Sequence, residues 1–171
     1  GYGPPGRPSE FDDDTIMTTL EENFLSSVRF SREVIPYMKQ QRWGRIVHLL
    51  PSLGHRLTDG RALSSTSQLA LMGYSKMLAN ELAPFNITVN NLVSGPVETS
   101  FLTSSLESQS QESGKAFDDL MRETITGIPM GRLGKPEEIG DLVAFLASNR
   151  ASFMTGASVV LDGGMRQQII S

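Results

Sequence analysis

The sequence predicts an α/β domain in which a parallel sheet is flanked by helices. Three observations predict it. Short strand-like runs alternate with longer stretches of helical periodicity. The runs are near-continuously apolar, as in strands buried on both faces. Strand–helix–strand order implies right-handed crossovers and therefore parallel pairing.

Residues 1–11, rich in Gly and Pro, read as loop. From Asp12 to Gln41 the pattern is helical. Asp12, Asp13 and Asp14 suit the positive end of a helix dipole. Leu20, Phe24, Val28, Val34, Ile35 and Met38 give a broad apolar stripe, and Pro36 should bend the last turns. Gly44–Leu50 is the first strand and 51–62 a loop. Leu63–Ala83 is a long helix stopped by Pro84. Ile87–Val93 is the second strand. Residues 95–114, rich in Ser, Glu and Gln, read as mobile, and Lys115–Ile125 as a helix. Together 100–126 read as a lid segment inside a single domain spanning 1–171. Lys135–Ser148 is a helix with Pro136 in its first turn and Glu137 and Glu138 beside it. Ala157–Leu161 is the last strand, ended by Asp162-Gly163-Gly164.

Composition narrows the function. The chain has 171 residues, 39% hydrophobic and 20% charged, and no apolar run approaches the ~20 residues of a membrane span. A net charge of -4 without a basic cluster excludes nucleic acid as the main partner. The absence of cysteine removes disulfides, thiolate metal sites and Cys nucleophiles together, and no metal site is expected. The first residues, Gly, Tyr and Pro, do not resemble a secretory signal, and a cytoplasmic location is expected.

GRIV at 44–47, NELAPFNITVNNLVSGPVET at 80–99, GRLGKPEEIGDLVAFLAS at 131–148 and TGASVVLDGG at 155–164 resemble the classical short-chain dehydrogenase/reductase family, in the branch of 3-oxoacyl-carrier-protein reductases. The resemblance covers nearly the whole chain with its motifs in order. It implies the C-terminal part of a doubly wound Rossmann-type sheet. The family's glycine-rich loop, which sets a pyrophosphate on a helix N-terminus, has no counterpart in these residues. Gly1 falls just after the family's fourth strand. The chain alone is therefore expected to bind no cofactor.

The family works with Asn, Ser, Tyr and Lys. The resemblance implies that Tyr exchanges the substrate proton and Lys holds the nicotinamide ribose and lowers the Tyr pKa. Ser would orient the carbonyl and Asn hold a relay water. The register places Asn23 at the Asn position, Pro51 at Ser, Ser64 at Tyr and Gln68 at Lys. One position in four matches. Pro51 has neither a side-chain donor nor an N–H. An aliphatic hydroxyl is a far weaker acid than a phenol of pKa ~10. Gln68 carries no charge. Ser52, one residue beyond Pro51, belongs to the opposite strand face. Asn23 also has a structural reading, because in the family this residue shapes a bend in its helix. Gly95 and Thr99 match the family's Pro-Gly-x-x-x-Thr loop, whose first Pro is Ser94 here. They are read as a vestigial cofactor contact or an inherited turn.

Other candidates take bland readings. Tyr74 and Lys76 imitate a Tyr/Lys pair, but residues two apart face different sides of a helix. Tyr74 is read as a core or interface residue and Lys76 as solvated. His48, mid-strand, is read as packed or hydrogen-bonded, and His55 as a loop histidine. The leading expectation is a non-catalytic subunit that assembles with an intact homologous NAD(P)-dependent reductase of 3-oxo or 3-hydroxy acyl groups. Such companions resemble those of bacterial secondary-metabolite pathways. Assembly, or self-association, would use helices 12–41 and 63–83. NADP or NAD would reside in the partner. The alternatives are a non-redox enzyme on the same scaffold with His55 or Glu98 as base, or a piece of a longer oxidoreductase. Without a strand beside it, Gly44–Leu50 becomes an apolar edge.

Overall fold

The computed structural model describes residues 6–51 and 62–165. The expected Rossmann-like α/β architecture is present. A three-stranded parallel sheet runs in the order β1 (Gly44–Pro51), β2 (Ile87–Ser94), β3 (Ser158–Leu161). Gly44 pairs with Ile87 and Pro51 with Ser94, and β3 pairs with the second half of β2. The expected burial on both faces holds best at β2, where seven of eight residues are buried, Thr88, Asn90 and Asn91 among them although polar.

The first helical stretch is three pieces. α1 (Asp13–Leu20) starts at Asp12, whose carboxylate accepts from the Thr15 N–H at 2.8 Å. A π turn over Glu21–Leu25 follows, and α2 (Ser26–Gln41) continues through Pro36 to a left-handed Arg42. α3 (Ala62–Leu82) ends in a 3-10 turn at Ala83–Phe85 containing Pro84. α6 (Pro136–Ala147) starts as the sequence predicts, with the Glu138 carboxylate accepting from the Lys135 N–H at 2.7 Å. Asp162 Oδ1 accepts from the N–H groups of Gly164 and Met165, making the turn expected after β3.

One element corrects the sequence reading. Residues 95–114 were expected to be a mobile stretch, but Ser100–Ser113 forms α4. Thr99 caps its start by accepting from the Leu102 N–H at 3.3 Å, and Gly114, at φ 72°, ends it in the left-handed region. The Ser- and Gln-rich composition hid this helix, because Ser is a weak helix former away from caps. α5 (Phe117–Thr126) follows, and the two helices pack chiefly on one another.

Register and packing define the layers. Ile46, His48 and Leu50 of β1, with Val89 and Val93 of β2, face α2 and α3. There Leu78, Ala79, Leu82 and Ile87 complete the main core cluster. Each buried Leu or Ile contributes about 1.5–3 kcal/mol relative to an exposed one. α6 packs on the opposite face, where Arg45 reaches Asn149 Oδ1 at 3.5 Å. Asn90 staples the approach to β3 by donating to the Met154 carbonyl and accepting from the Ala157 N–H. Among the described residues the outer edge of β1 is unpaired, and Leu49 beside it is 57% exposed.

Candidate functional site

The positions that the resemblance assigns to catalysis fall on β1, α3 and the π turn. Pro51 ends β1 and pairs in register with Ser94, which precedes Gly95. Ser64 and Gln68 lie one helical turn apart near the start of α3 and are 2% and 5% exposed. Asn23 lies in the π turn, which packs against α3. A π turn of this kind is a local irregularity of the helix around Asn23. The Ser52 and His55 positions lie outside the described residues.

The chemistry of this constellation is neutral. Gln68 Oε1 is buried and has no hydrogen-bond partner among the described residues. Neither a hydroxyl nor an amide ionises near neutrality, so Ser64 and Gln68 offer no proton of tuned acidity. Gln68, at the family's Lys position, carries no charge with which to hold a ribose. Gly95 has a packing reason to be glycine: a Cβ there would stand 2.8 Å from the Asp162 Cα. Its N–H donates to the Leu161 carbonyl at 2.9 Å. Thr99 is engaged as the α4 cap. These residues do not fit a nicotinamide ribose. Among the described residues no group of acidic or histidine side chains could hold a metal ion. A cavity of ≈ 50 Å³ lies beyond β2 and β3, lined by Pro96, Val97, Ile128, Leu161 and Asp162 among others. Small-molecule sites need roughly 300 Å³ or more.

The remaining candidates are placed as follows. Tyr74 packs edge-on against Phe24, ring centroids 6.0 Å apart, between the two core clusters. Burial, assisted by the Glu81 charge, pushes its phenol up from 10.0. Lys76 is exposed and donates to the Gly156 carbonyl at 3.2 Å. Glu98 is exposed, and its backbone N–H donates to the Gly134 carbonyl. His48 is buried between Ser75 and Ser31. The polar residue in an apolar strand signalled a buried hydrogen bond, but its partners were invisible in the sequence.

Residues 1–166 match a family profile described as Enoyl-(Acyl carrier protein) reductase. The chain is 35% identical over 153 residues to the 3-oxoacyl-[acyl-carrier-protein] reductase FabG of Aquifex aeolicus, covering 90% of this chain and 56% of that protein. It is 31% identical to the cyclohexanol dehydrogenase of Rhodococcus sp. (strain TK6), covering 96% of this chain and 59% of that protein. The chain thus spans somewhat over half the length of the curated relatives it matches. YwfH, an NADPH dependent reductase involved in bacilysin biosynthesis, superimposes with a TM-score of 0.90 at 30% identity, over 99% of this chain and 65% of that one. A short-chain dehydrogenase/reductase from Burkholderia xenovorans superimposes with a TM-score of 0.88 at 28% identity, over 99% and 64%. Motifs, fold and relatives agree, and the chain belongs to the short-chain dehydrogenase/reductase family of oxidoreductases.

Proposed function

We propose that this chain is a non-catalytic subunit that assembles with an intact homologous NAD(P)-dependent ketoreductase. The observation that carries the reading is the set Pro51, Ser64 and Gln68 at the family's Ser, Tyr and Lys positions, with Ser64 and Gln68 enclosed in the core. Reduction of a ketone needs a hydride and a proton delivered together. The residues at the family's Ser, Tyr and Lys positions offer no tuned acid for the proton.

The outward faces of α2 and α3 support assembly. Phe30 and Tyr37 on α2 are 77% and 69% exposed, and Leu69 and Met77 on α3 are 53% and 70% exposed. Spacings of seven and eight residues keep each pair on one helix face. Nothing lies within 4 Å of a Cβ built on Gly73, midway between Leu69 and Met77. Large apolar groups gathered on neighbouring faces mark an interface. Likeness to FabG supports 3-oxoacyl substrates for the partner, and likeness to YwfH supports NADPH and secondary metabolism.

The test is co-expression with an intact homologous reductase, then size-exclusion chromatography with mass determination and a nicotinamide oxidation assay. We expect a hetero-oligomer, a heterotetramer in stoichiometry, and no cofactor consumption by this chain alone. The double substitution Phe30→Glu and Met77→Glu should dissociate it. A monodisperse monomer that transfers hydride unaided would overturn the reading.

A further inference from the structure

We propose that His48 is an acid-sensitive latch that fastens α2 to α3 across β1, and that proton binding to its ring releases the fastening. His48 sits mid-strand and is 8% exposed. Its Nδ1 lies 2.8 Å from the Ser75 hydroxyl on α3, and its Nε2 lies 3.4 Å from the Ser31 hydroxyl on α2. Ser75 donates its own hydrogen to the Leu71 carbonyl at 2.7 Å. The Ser75 oxygen therefore accepts, and Nδ1 donates. That assignment leaves the Nε2 lone pair facing Ser31, which donates. Ser31 is the buried residue of α2, so the inner face of that helix is anchored at this contact. Farther along, the exposed Lys39–Glu81 ion pair joins the same two helices.

A second proton on the ring breaks this pattern. Nε2 becomes a donor, so the Ser31 hydroxyl must rotate to accept from it and its own hydrogen must find another acceptor. Among the described residues the new charge has no counter-ion. α2 presents Ser31, while Arg32 and Glu33 are exposed. α3 presents Ser75; its half-buried Tyr74 is neutral, and Lys76 reaches to Gly156. β2 presents the register partner Asn91. α6 packs on the other face of β1, with Arg45 directed to Asn149. Among the described residues no carboxylate faces the ring. Burial accordingly holds His48 below the ordinary value of 6.5, and the Asn91 amide partly offsets it. Asn91 Oδ1 is itself buried without a hydrogen-bond partner. It is an idle acceptor on the neighbouring strand, available to a second ring N–H.

The sign follows from linkage. The unfolded chain takes up the proton more readily than the native one. The latch is therefore intact at neutral pH and above, and its stability is lost as pH falls through 6.5 towards the depressed native value. The test uses the full chain, whose two histidines give resolvable ring resonances in NMR titrations from about pH 8 to about pH 5. The resonance missing in His48→Gln should titrate below 6.5. Below that midpoint, amide exchange around Ser31 and Ser75 should rise severalfold in the unsubstituted chain and stay flat in the variant. A midpoint at or above 6.5, or the same acid response in both proteins, overturns the proposal. Should His48→Gln fail to fold, Asn91→Asp places a carboxylate beside the ring and should raise the midpoint. An unmoved midpoint overturns it equally.

Discussion

Ser64 and Gln68 matter through what they lack. Both are enclosed in α3, so the double substitution Ser64→Tyr and Gln68→Lys adds bulk and a charge to a filled space. We expect it to destabilise the chain by about 1–3 kcal/mol in denaturant titrations. It should not create nicotinamide consumption, because Pro51 still lacks a donor. The resemblance alone sets positions 51, 64 and 68 against the family's Ser, Tyr and Lys. Their enclosure was not legible in the sequence, because it depends on helices brought together by the sheet. His48 makes the same point: its partners lie 17 and 27 residues away, beyond any local pattern. Gly95 could be matched to a family motif, but the reason it must be glycine is the Asp162 backbone, 67 residues on, too close for any Cβ.

At the scale of elements, apolar runs and stop signals placed every strand and most helices within a residue or two. The π turn at Glu21–Leu25 left no mark in the apolar stripe, which continues through Leu20, Phe24 and Val28. α4 was missed because only two leucines, Leu102 and Leu106, betray its inner face; the readable clues were its caps, Thr99 and Gly114. α6 was legible from Pro136 and its neighbouring acids, and its first turn yields a prediction. Glu138 accepts from both the Arg132 guanidinium and the Lys135 N–H, which lower its carboxyl from 4.5 to about 2. A carboxylate lowered on folding stabilises above its unfolded value and loses that contribution as pH falls through its folded one. Unfolding midpoints should therefore drop between 4.5 and about 2 in the unsubstituted chain. The drop should be smaller in Glu138→Gln, measured by denaturant titration across that window. Equal acid slopes would show that the pair does not couple to folding.

At the scale of the whole molecule, the sheet is narrow. Among the described residues β1 presents an apolar unpaired edge with Leu49 exposed beside it, a template for adding strands. Leu49→Lys should lower light scattering at fixed concentration while changing stability by no more than about 0.5 kcal/mol. An unchanged scattering curve would move the association to the α2 and α3 faces. The parallel sheet was legible from alternation alone, whereas the grouping of α4 with α5 depended on one fastening. Val97 bridges Gly134, the Glu98 N–H donates to the Gly134 carbonyl, and the Gly134 N–H donates to the Pro96 carbonyl. The two ends of a long excursion are thus pinned together at the rim of the sheet. Closing such a loop costs only about 0.6 kcal/mol for each doubling of its length. The stretch between Val97 and Gly134 is therefore where this scaffold can gain, lose or exchange whole helices with little penalty to the sheet, and where variants of the fold are free to diverge.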